Sequence, residues 1–184
     1  MNNFLFKTPF LNFFWDLVKR YVFKRLTKSA MPIFVKGGDD IASTMALGYH
    51  EDYLIEFLKS KTDNGLNEFL IDIGANIGII SCQIGKHFKE VHMFEPNPLV
   101  LKVLEVNCSL MLDDNFQIHP YGLSNKSGTF SLTVPKNNWG GAYIESKMNT
   151  YSSEILAAKD GFDTYDSKNY LFLDIKVRDV ESEM

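Results

Sequence analysis

The sequence predicts an α/β fold in which a parallel sheet lies between helices in three layers. Two observations predict it. Short apolar runs at Glu68–Ile73, Glu90–Phe94 and Phe116–Leu123 alternate with stretches of helical periodicity. That alternation requires crossover connections and therefore parallel strands, with the first strand nearest the centre. The second observation is the stretch "FLIDIGANIGIISCQIGKHFKEVHMFEPNP". It places a small-residue turn after the first strand and a carboxylate after the second. Those are the carboxyl ends of strands, where open parallel sheets bind ligands.

Taken in order, the elements begin with residues 9–28. Phe10, Phe13, Phe14, Leu17, Val18, Tyr21 and Val22 fall on one helical face and Asn12, Asp16, Lys19 and Arg20 opposite. Ile33–Val35 reads as a short strand, Gly37–Asp40 as a turn and Ile41–Leu47 as a short segment of undecided type. Glu51–Lys61 reads as a helix with Tyr53, Leu54, Phe57 and Leu58 inward. Asn76–Phe88 and Pro98–Leu112 are the helices between the three strands, the second with Val100, Leu101, Leu104 and Cys108 on one face. Further strands are expected at Thr129–Val134, Ala142–Ile144 and Tyr170–Val177, with a short helix near Glu154–Lys159.

At 184 residues the chain can bury a sizeable core. A net charge of −4 argues against nucleic acid as a partner. The charge is uneven: residues 1–36 hold seven Lys or Arg against the one acid Asp16, a net +6 that leaves −10 for the rest. The chain therefore divides into a basic amphipathic helix with its linker, 1–36, and a main domain, 37–184. Such a helix either lies on an anionic membrane surface, making the protein membrane-peripheral, or docks its aromatic face on the domain or a partner. Asp16 breaks the apolar part of the N-terminus too early for a signal peptide. No stretch reaches the ~18–20 apolar residues of a membrane span. Cys82 and Cys108 stand outside any CxxC or Cys/His cluster, which predicts buried thiols and a cytoplasmic protein. His50, His87, His92 and His119 have no ligand spacing, so no metal site is expected.

In "Asp72-Ile-Gly74-Ala75-Asn76-Ile-Gly78" the two glycines admit close approach and unusual dihedrals. Glu95 ends the second strand, where a carboxylate can accept from both hydroxyls of a ribose. Pro96 stops that strand and Pro98 opens the next helix. A dinucleotide site would want G-x-G-x-x-G, but Asn76 stands at the second glycine position. Asp72 would repel a pyrophosphate and suit a cationic amino-acid moiety. The pattern favours S-adenosyl-L-methionine over NAD.

The segments "IDIGANIGIIS", "FEPNP", "PYGLSNKSGTFSL" and "NNWGGAYI" together resemble the FkbM-type S-adenosylmethionine-dependent methyltransferases, over about residues 45–145. The resemblance implies a Rossmann-like methyltransferase fold and methyl transfer to a hydroxyl on a saccharide or natural-product scaffold. It implies that Asp72, Gly74, Ala75, Asn76 and Gly78 contact the methionine part and that Glu95 holds the ribose. Pro96 and Asn97 would shape the adenine side, Leu123 and Ser124 would border the adenine, and Glu51 would close the site.

The family's "K-I-D-V-E-G-x-E" strand is not intact. Its nearest counterpart is Lys176–Glu183, with one residue too many and Ser182 for the glycine. The chain is thus expected to be the cofactor-binding, N-terminal portion of such a domain, C-terminally incomplete. A hydroxyl acceptor benefits from a general base. His119, Tyr121 and Asp174 are the candidates, none of them assigned, and Trp139 is either a sugar-stacking ring or a loop anchor. The competing reading is a non-catalytic cofactor-binding fragment or degenerate Rossmann-like domain, with its N-terminal helix docked on a membrane or partner.

Overall fold

The computed structural model describes residues 51–144 and 152–183. The expectations for the helix over 9–28, the strand Ile33–Val35, the turn Gly37–Asp40 and the segment Ile41–Leu47 lie outside the described residues. So do the membrane and partner contacts assigned to that helix.

The first described helix, α1 (Asp52–Asp63), stops where Gly65 takes a left-handed φ of 82° and the amides of Asn64, Gly65 and Leu66 turn back onto Lys61 and Thr62. Ile55 and Leu58, one turn apart, pack on the core, while Tyr53, Leu54 and Phe57 are exposed. The expected inward face was thus displaced: the helix leans on the domain through its i, i+3 row alone.

Strands β1 (Phe69–Ile73), β2 (Glu90–Phe94) and β3 (Phe116–His119) pair in parallel, as alternation with helices requires. The order is β1-β2-β3. The central position therefore belongs to β2, a correction to the expectation for β1. Among the described residues no strand pairs with the far edge of β1.

The connections are α2 (Ile79–Ile84), extended by a 3-10 turn at Gly85–His87, and α3 (Pro98–Met111). Helix α2 begins after Asn76 and Gly78 rather than at Asn76, because both take left-handed dihedrals (φ 51° and 83°) that an α-helix cannot contain. Asn97 caps α3, its side-chain oxygen accepting from the Leu99 N–H at 3.1 Å, with Pro98 at the first helical position. The core fills one face of the sheet. Leu70, Val91 and Met93 meet Ile55, Cys82, Ile84, Leu104 and Cys108 there. On the opposite face of β1, Phe69, Ile71 and Ile73 are 61%, 48% and 58% exposed.

The expected strand Phe116–Leu123 is two strands in two sheets. Pro120 has no N–H to continue the ladder, so the chain breaks after His119 and resumes as β4 (Gly122–Ser124). The second sheet runs β4-β7-β5-β6, with β5 (Gly128–Pro135), β6 (Tyr143–Ile144) and β7 (Tyr170–Asp179). Strands β5 and β7 pair antiparallel along their length, from Gly128↔Val177 to Pro135↔Tyr170. Their facing Leu132, Val134, Ile175 and Val177 make a second small core. Between β6 and β7 lies α4 (Ser153–Lys159), and α5 (Val180–Glu183) follows β7. Among the described residues no helix is long and apolar enough to cross a membrane.

Candidate functional site

A cleft of about 220 Å³ opens at the carboxyl ends of β1 and β2. One wall is Gly74, Asn76, Glu95, Pro96 and Asn97. The other is Val100, Leu132, Trp139, Gly140 and Ala142.

The first wall is built by backbone geometry. Beyond β1 the Gly74 and Ala75 amides both reach the Phe94 carbonyl, at 2.8 and 3.2 Å, so the turn is tied to the end of β2. Gly74 has φ 81°, and an added Cβ there would meet nothing within 4 Å. Its absence of side chain serves the dihedral and keeps the space above the turn empty. Gly78 has a different role. With φ 83°, an added Cβ would lie 2.7 Å from Leu104 Cδ1 and 3.2 Å from Cys82 Sγ. The Ile77 carbonyl accepts from Asn107 Nδ2 at 2.7 Å, which pins the turn to α3.

Glu95 is the electrostatic centre. It is 7% exposed, and its two oxygens divide two backbone donors: Asn76 N–H reaches Oε2 at 3.0 Å and Asn97 N–H reaches Oε1 at 2.8 Å. Each oxygen keeps a second acceptor site. Burial pushes the carboxyl above the ordinary glutamate value; the Asn97 and Asn76 amides pull against this, and the charge of Asp72 adds to it. Asp72 lies behind the turn, accepting from the Ser81 hydroxyl at 2.6 Å. It too is raised, first by burial and then by Glu51, while its bonds from Ser81 oppose the shift. Glu95 is the only ionisable side chain lining the cleft among the described residues. A pocket with this charge suits a cation and disfavours a pyrophosphate.

The structure brings Gly74, Asn76, Glu95, Pro96 and Asn97 together in the lining. It puts Asp72 behind the turn, Ala75 in the core and Gly78 under α3. Glu51 stands at the start of α1, close enough to act on Asp72. Leu123 and Ser124 lie on β4 beside Arg178 and Asp179, outside the lining. The Pro120 break carries them into the second sheet. His119, Tyr121 and Asp174 are also outside. His119 stacks on Phe94 at 4.3 Å, Tyr121 donates to Glu183 at 2.6 Å, and Asp174 is exposed on β7.

Apart from Val100 on α3, the second wall is remote in sequence from the first. Asn138 caps a 3-10 turn at Trp139–Gly141 by accepting from the Gly141 amide at 3.1 Å. Asn97 Nδ2 donates to the Trp139 carbonyl at 3.1 Å and joins the two walls. Trp139 packs against the second core as well as lining the cleft. Val100 and Leu132 were not anticipated as lining. Val100 was legible as a buried helix residue, and only the pairing of β5 with β7 carries Leu132 to the site. Among the described residues no group of three or more His, Cys, Asp or Glu is placed to hold a metal ion.

The chain is 31% identical over 107 residues to the methyltransferase sdnD of Sordaria araneosa, an overlap of 55% of this chain and 40% of that protein. It thus spans about two fifths of the length of that relative. No family model matches the chain. Among solved structures it is similar to magnesium protoporphyrin IX methyltransferase (ChlM) from Synechocystis PCC 6803, determined with bound SAM. That similarity has a TM-score of 0.38 at 13% identity over 90% of this chain and 96% of the other. A protein from Pyrococcus horikoshii described as a transferase gives a TM-score of 0.29 at 15% identity, over 60% of this chain and 56% of that one. The chain is, then, an α/β domain with a parallel sheet, similar over part of its length to a methyltransferase.

Proposed function

We propose that this chain binds S-adenosyl-L-methionine and belongs to a methyltransferase, FkbM-like in its motifs, that acts on a hydroxyl of a saccharide or natural product. One observation carries the reading. The cleft beyond β1 and β2 offers a buried carboxylate with acceptor sites to spare, a second carboxylate behind it, and, among the described residues, no lysine or arginine in its lining. Those acceptors fit the donating hydroxyls of a ribose diol, and their charge fits a positively charged amino-acid sulfonium. The similarity to a methyltransferase supports the same reading.

When bound, S-adenosylmethionine supplies a methyl group activated by its sulfonium. Glu95 would hold the ribose, the Gly74 turn would leave room for the chain, and Asn76 would meet the amino-acid end. The acceleration expected from these residues is that of positioning for in-line displacement. Among the described lining residues Glu95 alone ionises, and in this reading its free acceptor sites are taken by the ribose. That observation favours, as a second reading for this stretch of chain, cofactor binding without catalysis.

Calorimetry with S-adenosylmethionine, S-adenosylhomocysteine and NAD tests the proposal. Binding of the first two and not of NAD is expected. Preference for NAD would overturn the cofactor and the methyltransferase together. Release of labelled methyl to a saccharide hydroxyl separates the catalytic from the binding reading. A cytoplasmic protein made membrane-peripheral by residues 9–28 is the matching proposal for the N-terminal segment. It rests on the basic, aromatic composition of that segment.

A further inference from the structure

Gly140 stands in the far wall, on a turn remote in sequence from the one that bears Asn76. A Cβ built on it would lie 2.6 Å from Asn76 Nδ2. Its φ is outside the left-handed region, so the backbone itself would accept alanine. The glycine is therefore needed for the space that Asn76 fills. The Asn76 carboxamide is half-buried, makes no hydrogen bond to the described residues, and lines the cleft. Its backbone N–H donates to Glu95 Oε2 at 3.0 Å. The Trp139 carbonyl, Asn97 and Glu95 complete a ring of contacts around the opening.

We propose that Gly140 is a positioning residue: by contact with the Asn76 carboxamide it fixes where that group points into the cleft, and so sets affinity for the amino-acid end of the ligand. The inference rests on the S-adenosylmethionine reading. The close neighbour of the added Cβ is the tip of a flexible side chain, so Gly140→Ala displaces the amide rather than the fold. Its signature is a change in binding without a change in stability.

The test is a double-mutant cycle read by calorimetry with S-adenosylhomocysteine. Gly140→Ala and Asn76→Ala should each weaken binding about 10-fold, the scale of one lost hydrogen bond to a charged group. Together they should weaken it no more than Asn76→Ala alone. The thermal midpoint of Gly140→Ala should match wild type. Gly128→Ala is the control, because Gly128 begins β5 outside the cleft and a Cβ there meets only the Phe130 ring, at 3.2 Å. Wild-type affinity in Gly140→Ala would overturn the proposal, as would an equal loss in both Asn76 backgrounds or an equal loss in the control. The contact itself is read without ligand: Gly140→Ala must move the Asn76 side-chain amide pair in a nitrogen-correlated NMR spectrum, and an unmoved pair refutes it. A wild-type protein that binds no S-adenosylhomocysteine while that pair moves would place the failure in the cofactor reading, and the role of Gly140 in ligand affinity falls with it.

Discussion

The two glycines of the turn meet different demands, and substitution should separate them. Gly74→Ala adds a methyl group to open space at φ 81°, so its cost is that of a left-handed residue, about 1–2 kcal/mol. Gly78→Ala bears the same backbone cost and drives a Cβ to 2.7 Å from Leu104, which should at least double it. Urea unfolding of the two variants measures the difference, and equal midpoints would contradict the packing role. Glu95 gives a pH dependence. Its folded pKa lies above its unfolded value near 4.5, so the proton is held more tightly in the native state. The stability it contributes is complete below that unfolded value and is lost as pH rises through the folded one. The expected outcome is a Glu95 carboxyl midpoint above 4.5 by carbon-detected NMR, lowered when a cationic ligand binds. An unshifted or depressed midpoint would contradict the burial argument.

Single elements show where sequence reasoning reaches and where it stops. Strand β2 was readable to the residue, because apolar alternation and the Glu95-Pro96 stop bracket it. Helix α3 was readable because Pro98 opens it and Val100, Leu101, Leu104 and Cys108 fall on one face. Three features were not. Helix α1 presents Ile55 and Leu58, whereas its aromatic residues suggested another face, and nothing local records which row the core will take. The Pro120 break was visible as a proline in a strand pattern, but the strand's transfer to a second sheet depends on β7, far downstream. The wall at Trp139–Ala142 is joined to the first by Asn97 across 42 residues of sequence, a contact that no periodicity reports. The turn and α3 also meet through Asn107, which is fully buried. Asn107→Ala strips the Ile77 carbonyl of that donor and should cost roughly 1–3 kcal/mol. Denaturant unfolding checks it, and a loss below experimental error would show the bond to be dispensable.

For the molecule as a whole, the unequal faces of the parallel sheet dominate. One face is packed under α1, α2 and α3; the other shows Phe69, Ile71 and Ile73 on a strand whose far edge carries no described neighbour. Exposed apolar edge strands promote association. Ile71→Lys should therefore lower light scattering at high protein concentration while leaving the unfolding midpoint within about 0.5 kcal/mol of wild type. A large stability loss would mean that the face is covered in solution.

The buried thiols give the cleft a clock. Cys82 and Cys108 are 2% and 0% exposed, and both sulfurs sit beneath Gly78. An aromatic disulfide reagent can reach them only when α2 lifts from α3, so the slow phase of labelling counts how often the floor of the site opens. A ligand that braces the Gly74–Gly78 turn must slow that count, even if it never reacts.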